Sequence, residues 1–375
     1  MRSRLLLEAV GMDPLVEELQ AIIDDPEGFK WKGVDVMEVD ITTFSEEDLI
    51  KVTCAVMCRG GLLKKHGIDA KTWALFMNRV KELMQKNPYH NFLHICDVMQ
   101  TVGVILSDPS LNDLFTDLDR LTILTAAVVH DLNHPGKNNA YQVSAGTDLA
   151  ILYNDISVLE NHHCAISSKL FNEVGLFASF TPEQRKGMRA MTIQTVLATD
   201  MAKHFALSGE LGGYLKDNEK TDDNAKKTLL MKSVLHVADI SNPFKIWDVS
   251  KFWSDRVIAE FFDQGDVEKA QGLPVSPMCD RVGTKQDESS LGFCDFIVAP
   301  YLFTCAAAFP TVLLPCVKTL GDNREIWHDM LVNRINADES LDEGAKKKAL
   351  ETWAGKRDGF KTKMNAVIES IQLPN

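Results

Sequence analysis

The feature that most limits what this chain can fold into is its hydrophobic rhythm: apolar residues recur at helical spacing almost throughout, and strand-like alternation is nearly absent. Leu75, Met77, Val80, Leu83 and Met84 share a helical stripe, as do Leu121, Leu124, Val128 and Val129. Helix stops are legible at Asn87-Pro88, Asp108-Pro109, His134-Pro135-Gly136 and Asn242-Pro243, where proline removes a backbone donor and its neighbours favour turns. The pattern predicts an all-α chain of about fifteen short helices without internal repeat. With 375 residues, 45% of them hydrophobic, it can bury a large core.

One compact multi-helix domain is expected over residues 36–340, with a flanking segment at 1–35 and a C-terminal helical extension at 341–375. Two polar stretches, Lys216 to Lys227 and Gly265 to Glu288, are expected as loops; proline and glycine make the second a long ordered one. Phe296 to Val317 is uncharged and long enough to span a bilayer. Pro300, Pro310 and Pro315 interrupt it, so a pair of buried or pocket-lining helices is expected and no transmembrane segment. The N-terminal MRSRLLLEAVGM begins basic, but Glu8 cuts its apolar run short, which makes a poor signal peptide. Eight scattered cysteines without CxxC spacing fit reduced thiols of a cytoplasmic protein.

A formal net charge of −13 argues against a nucleic-acid surface, which needs a basic face. An anionic small-molecule substrate would instead need local positive charge, and bound metal supplies it. The residues for this are concentrated between positions 90 and 134. His90 and His94 stand in YHNFLH, and His130, Asp131 and His134 in HDLNHPG. The i,i+4 spacing is expected to put each histidine pair on one helix face. Zinc takes imidazole and carboxylate ligands and leaves a position open in hydrolytic sites. His94, His130 and Asp131 offer three ligands, and Asp239, at the end of an apolar helix where a lone carboxylate is costly to bury, offers a fourth. His236 is a weaker ligand candidate or a core residue. A second cation, magnesium or manganese, suits oxygen ligands and retained waters, with the second oxygen of Asp131 as bridge and His134, Glu160 and Thr199 as water holders. Two cations sharing a water can acidify it and aim it at phosphorus. His66, His204 and His328 fit the core, and His162 and His163 are left outside the first metal's shell.

These residues belong to eight ordered segments: YHNFLHICDV, HDLNHPGKNNAYQ, LYNDISVLENHHCA, TVLATDMAKHF, HVADISNP, FWSDRVIAEFFDQGD, PVSPMCDR and LGFCDFIVAP. Together they resemble the catalytic domain of the class I cyclic nucleotide phosphodiesterases, with its HD-type metal site. The resemblance implies a compact all-α fold that cleaves the 3′ phosphoester of cyclic AMP or cyclic GMP. It implies zinc on His94, His130, Asp131 and Asp239, with Asp131 bridging to magnesium, and makes His90 the general acid that protonates O3′. It also implies that Phe293 stacks on the purine, that Val257 and Phe261 form the opposite wall, and that Tyr89, Met201, Asn242 and Trp253 line the pocket.

The main departure lies at Ser290, in ESSLGF, where the family carries a purine-binding glutamine. The loop from Met278 keeps the family's length, so Gln286 is not expected to slide into that place. A hydroxyl cannot make the paired contacts of an amide, so weaker nucleotide affinity and blurred selection between adenine and guanine are expected. Asn133 stands where aspartate is common, and Ser250 where an aromatic often stands, with more room expected at the pocket edge. Two alternatives are a non-catalytic cyclic nucleotide sensor and another HD-type phosphohydrolase. The intact ligand set and His90 weigh against the first, the Phe293 segment against the second.

Overall fold

The computed structural model describes residues 13–25, 33–217 and 222–371. Seventeen α-helices and several short helical turns, with no strand, make up the described residues. The all-α expectation holds, but three helices are long: Trp247–Ala270 has 24 residues, and Pro310–Ala337 and Glu343–Ser370 have 28 each. The N-terminal MRSRLLLEAVGM lies outside the described residues.

Helix Phe92–Ile105 is the centre of the molecule, and all but one of its residues are buried. A helix that is apolar all round must be covered on every side. Asp117–Val129, Glu46–Cys58 and Asp223–Asp239 provide that cover. The packing is close at Gly103, where a Cβ would stand 2.4 Å from Val56 Cγ1. Asn91 starts the helix by accepting the N–H of His94 at 3.1 Å, and Thr116 and Asp119 form a reciprocal capping box for the next helix.

One turn beyond His94, Asp97 is buried and accepts from the Lys245 ammonium at 3.1 Å and from Trp253 Nε1 at 2.8 Å. Thr101 accepts from the same ammonium at 2.6 Å. A buried charge persists only when so paired, and the pairing ties the central helix to Trp247–Ala270. On the far side, adjacent residues of Pro310–Ala337 hold two different segments. Asn323 donates to the carbonyls of Pro243 and Lys245, and Arg324 makes two bonds to Asp295. Helix Glu343–Ser370 packs on this backing helix, with Met364 against Gly321 and the Phe360 ring under Arg324.

Several sequence expectations change. The stretch Lys216 to Lys227 is helical at both ends, because Asp222 caps a helix beginning at Asp223. The Gly265 to Glu288 loop is shorter than expected: Trp247–Ala270 runs past Gly265, and Gln286–Phe293 starts before Glu288. A glycine stands inside this helix at 265 because nothing larger fits, since a Cβ there would lie 1.9 Å from Cys279 O.

The apolar stretch is not broken at all three prolines. Pro300 sits in the first turn of Ala299–Ala308, behind a π turn at Cys294–Val298 that accommodates its missing donor. Only Phe309–Pro310 divides the helices, and Pro315 lies inside Pro310–Ala337. Among the described residues one helical run, Gln286–Ala308, is long and apolar enough to cross a membrane, and 44% of its most apolar window is buried within the fold. Its Asp287 and Asp295 are paired with Arg334 and Arg324. All eight cysteines are buried and unpaired.

Candidate metal and phosphoester site

The histidine pairs do not share helix faces as their spacing suggested. Asn91 caps the helix after His90, leaving His90 in the approach loop and His94 in the first turn. His130 closes helix Asp117–Val129, and His134 follows a turn in which Asn133 takes φ +65°. Asn133 suits that left-handed position, and its side chain binds Leu83 O and His162. The two segments meet through Asn87, whose Nδ2 donates to His90 O at 2.9 Å and to His134 O at 2.7 Å. The His90 and His134 rings consequently stack, with centroids 3.8 Å apart.

His94, His130, Asp131 and Asp239 converge, each offering a ligand atom within 4.8 Å of the others. Asp239 Oδ1 lies 3.2 Å from both imidazole Nε2 atoms, and Asp131 Oδ2 lies 3.4 Å from His94 Nε2 and 3.3 Å from His130 Nε2. His130 Nδ1 faces Ala127 O at 2.8 Å, which turns Nε2 toward the cluster. Both ring nitrogens of His94 are buried without a hydrogen bond. An orphaned imidazole between two carboxylates fits a cation, which would satisfy all four groups.

The charges agree with that fit. Burial alone would push the His130 ring down and Asp131 and Asp239 up. Instead the two carboxylates hold His130 well above the usual histidine range, and His130 holds both acids well below theirs. A divalent cation held by these groups would supply the same balancing positive charge.

A second group, Asp131, His134 and His163, also offers ligand atoms within 4.8 Å. His163, which the sequence left ambiguous, brings Nε2 to 3.6 Å from Asp131 Oδ1, with Nδ1 fixed by Leu132 O. Glu160 is buried nearby on the same helix as His163, held by Asn139 Nδ2 at 3.0 Å. Burial and the neighbouring Asp200 lift it to about 7. Thr199 is buried and donates to Val196 O, and the following Asp200 accepts from Ser157. His236 belongs elsewhere: it pairs with His204 at 2.9 Å and packs on Tyr301.

His90 has a partner that sequence reasoning missed. Glu260 Oε1 lies 2.5 Å from His90 Nδ1, while Oε2 accepts the backbone N–H groups of Tyr89 and His90. Burial pulls His90 down, but Glu260, then Asp131, outweigh it and lift the ring to about 9. In return His90 overcomes burial and holds Glu260 at about 2. Nε2 of His90 faces the cluster, 3.8 Å from Asp131 Oδ2. The signal was available in FWSDRVIAEFFDQGD: Glu260 follows Trp253 and Val257 at helical spacing, a lone acid on an apolar face.

Beside the cluster, Tyr89 packs its ring on His94 and Trp253 and accepts from Asn242 Nδ2 at 2.6 Å. Val257 and Phe261 are half-buried on the helix that carries Glu260, while Met201 is 44% exposed. Phe293 is half-buried and lines a cleft of about 460 Å³ with Met278, Thr284 and Ile297. Ser290, Val257 and Phe261 do not line that cleft. Ser290 instead faces the neighbouring helix, with its Oγ 3.0 Å from Ser254 Oγ. Ser250, a turn earlier, is buried and opens no room at the surface.

Residues 89–320 match the family described as 3′5′-cyclic nucleotide phosphodiesterase. The chain is 35% identical over 322 residues to 3′,5′-cyclic-AMP phosphodiesterase 4C of Mus musculus, a match covering 83% of this chain and 46% of that protein. A probable 3′,5′-cyclic-AMP phosphodiesterase of Caenorhabditis elegans is 35% identical over 305 residues, covering 79% of this chain and 45% of that protein. The chain thus spans about half the length of these curated relatives. Its fold superposes on the phosphodiesterase domain of Salpingoeca rosetta rhodopsin phosphodiesterase with a TM-score of 0.79 and 28% identity, covering 85% of this chain and 98% of that one. LmjPDEB1, solved in complex with IBMX, gives 0.77 and 28%, covering 84% of this chain and 97% of that one. The chain belongs to the 3′,5′-cyclic nucleotide phosphodiesterase family and contains its catalytic domain.

Proposed function

We propose that this chain hydrolyses the 3′ phosphoester of a 3′,5′-cyclic nucleotide to the nucleoside 5′-monophosphate. The observation that carries this is the adjacency of two devices: a His94, His130, Asp131, Asp239 group in which the buried His94 ring nitrogens have no hydrogen bond, and a His90 imidazole aimed at it by Glu260. His94, His130, Asp131 and Asp239 would hold zinc, and Asp131 would also serve a magnesium or manganese ion, with His134, Glu160 and Thr199 as holders of its waters. Bound there, the cations supply charge for the phosphoryl oxygens and acidify a shared water. His90 contributes the proton. With Nδ1 committed to Glu260, the imidazolium presents Nε2–H to the leaving O3′ and gives it up in the transition state.

The purine would lie against Phe293, with Val257 and Phe261 opposite and Tyr89, Asn242, Trp253 and Met201 along the edge. Ser290 makes fewer contacts to the base than a glutamine, which weakens affinity and relaxes base selection at that position. The catalytic unit is assigned to residues 36–340, flanked by 1–35 and 341–375. Eight buried free thiols support a cytoplasmic setting, and the partner is the small-molecule nucleotide rather than nucleic acid.

The test is incubation with magnesium and each cyclic nucleotide, with and without chelator. Chelator-sensitive 5′-monophosphate is expected. Metal-loaded protein that binds but turns over neither nucleotide would favour a sensor, and hydrolysis of noncyclic nucleotides alone would favour a different phosphohydrolase.

A further inference from the structure

Helices Val158–Val174 and Pro182–Val196 enclose a cleft of about 470 Å³ that is separate from the metal cluster, within the size range of small-ligand pockets. Ser168, the cleft residue nearest in sequence to Glu160, stands just over two helical turns beyond it, about 12 Å along the axis. The floor of the cleft is apolar and braced. Phe171 and Phe177 line it with ring centroids 5.0 Å apart, and each rests on a further ring, Phe76 behind Phe171 and Phe180 behind Phe177. Two small residues leave room between them, since a Cβ on Gly175 would meet only Ala178 Cβ, at 4.0 Å.

Arg185, Lys186 and Arg189 line the same cleft from the second helix and are exposed. Among the described residues none of the three has a carboxylate partner, although the chain carries 53 acidic residues against 40 lysines and arginines. Arg185 donates to Phe180 O, and Arg189 donates to Ser168 Oγ. Those bonds fix both heads at the rim. A guanidinium has five N–H donors, so most of them stay available. A braced aromatic floor beneath a fixed cationic rim complements a molecule with an apolar body and an oxyanion head.

We infer that this cleft is a second ligand site, which takes a small amphiphilic anion: a carboxylate or phosphate on Arg185, Lys186 and Arg189, and an apolar body on Phe171 and Phe177. Such a head group can belong to a free organic acid or to a membrane lipid.

The experiment measures binding by calorimetry to the full chain, with decanoate, decyl phosphate, decanol and acetate as probes, so it does not depend on turnover. Wild type is compared with Arg185→Glu/Arg189→Glu and with Ala178→Trp, which fills the cleft, each first confirmed as folded by its thermal transition. Saturable binding of both decyl anions is expected. Decanol and the charge-reversed variant should each bind at least about tenfold more weakly, the worth of one hydrogen bond to a charged group, and Ala178→Trp should lose binding. If Ala178→Trp does not fold, the charge reversal on exposed positions carries the test. Acetate binding as well as decanoate would leave only solvated cations and overturn the site. Absence of saturable binding, or equal binding in wild type and both variants, would overturn it too. Phosphatidylcholine vesicles containing phosphatidic acid then distinguish the sources. Vesicle binding lost in the same variants supports the site with a lipid head group as ligand, and decanoate binding without vesicle binding supports it with a soluble acid.

Discussion

Glu260 Oε1 lies 2.5 Å from His90 Nδ1, and the other oxygen of the same carboxylate accepts the backbone N–H of that histidine at 3.0 Å. One acid thus sets both the ring and the loop that carries it. His90→Ala should lose about 10² to 10⁴ in kcat while keeping its metal. Glu260→Gln removes the charge that raises His90, so the protonated ring should be lost at lower pH. The alkaline limb of the kcat profile should move toward acid with little change in KM; a limb that stays in place would separate Glu260 from the proton donor.

The same pair should leave a pH signature on the stability of chelated protein. Glu260 titrates at about 2 in the fold against 4.5 as its reference, so its contribution is present above 4.5 and lost as pH falls toward 2. His90 titrates at about 9 against 6.5, so its contribution is full below 6.5 and lost as pH rises through 9. The difference in melting temperature between wild type and Glu260→Gln should therefore be widest between pH 4.5 and 6.5. A constant gap up to pH 10 would contradict the coupling.

Asp239 is the proposed ligand most distant in sequence from the HDLNH segment. Asp239→Ala should strip the tightly held metal, measured by elemental analysis of dialysed protein, and abolish turnover. Removing metal from the wild type should lower its melting temperature, since a ligand bound only by the native state stabilises it.

Phe293→Ala should raise KM by the loss of one stacking face, about 1 to 3 kcal/mol, with kcat less affected. Ser290→Gln should lower KM for at least one cyclic nucleotide. Unchanged KM for both nucleotides in Ser290→Gln would show that residue 290 does not touch the base.

Gly136 takes φ +69°, and a Cβ there would stand 2.6 Å from Asn87 Oδ1. Gly136→Ala should cost about 1 to 3 kcal/mol in denaturant unfolding and also reduce kcat, because Asn87 links the carbonyls of His90 and His134. Wild-type kcat in a destabilised variant would show that the link is purely structural.

The helical class was legible because periodicity is a local property, and Asp239 was legible as a member of the cluster because a lone carboxylate is costly to bury at the end of an apolar helix. Glu260 and Asn87 were not read, although both sit in ordinary helical and turn contexts. Their meaning depends on partners 170 and 47 residues away, and nothing local records that separation. The shared helix faces predicted for the histidine pairs failed for a local reason. A capping asparagine starts the helix inside the first motif, and a left-handed asparagine sits in the turn that follows the helix in the second, whereas spacing alone treats each motif as one continuous helix.

Asn323 and Arg324, neighbours on one helix, grip the Pro243–Lys245 turn and the Asp295 turn respectively. Asn242 precedes the first and Phe293 precedes the second. The gap between those two residues is therefore set by a backbone repeat rather than by the flexibility of either loop. On the proposed placement of the base, the reach from its stacked face at Phe293 to its edge at Asn242 is then fixed, and analogues should be sorted by how far their edge groups extend.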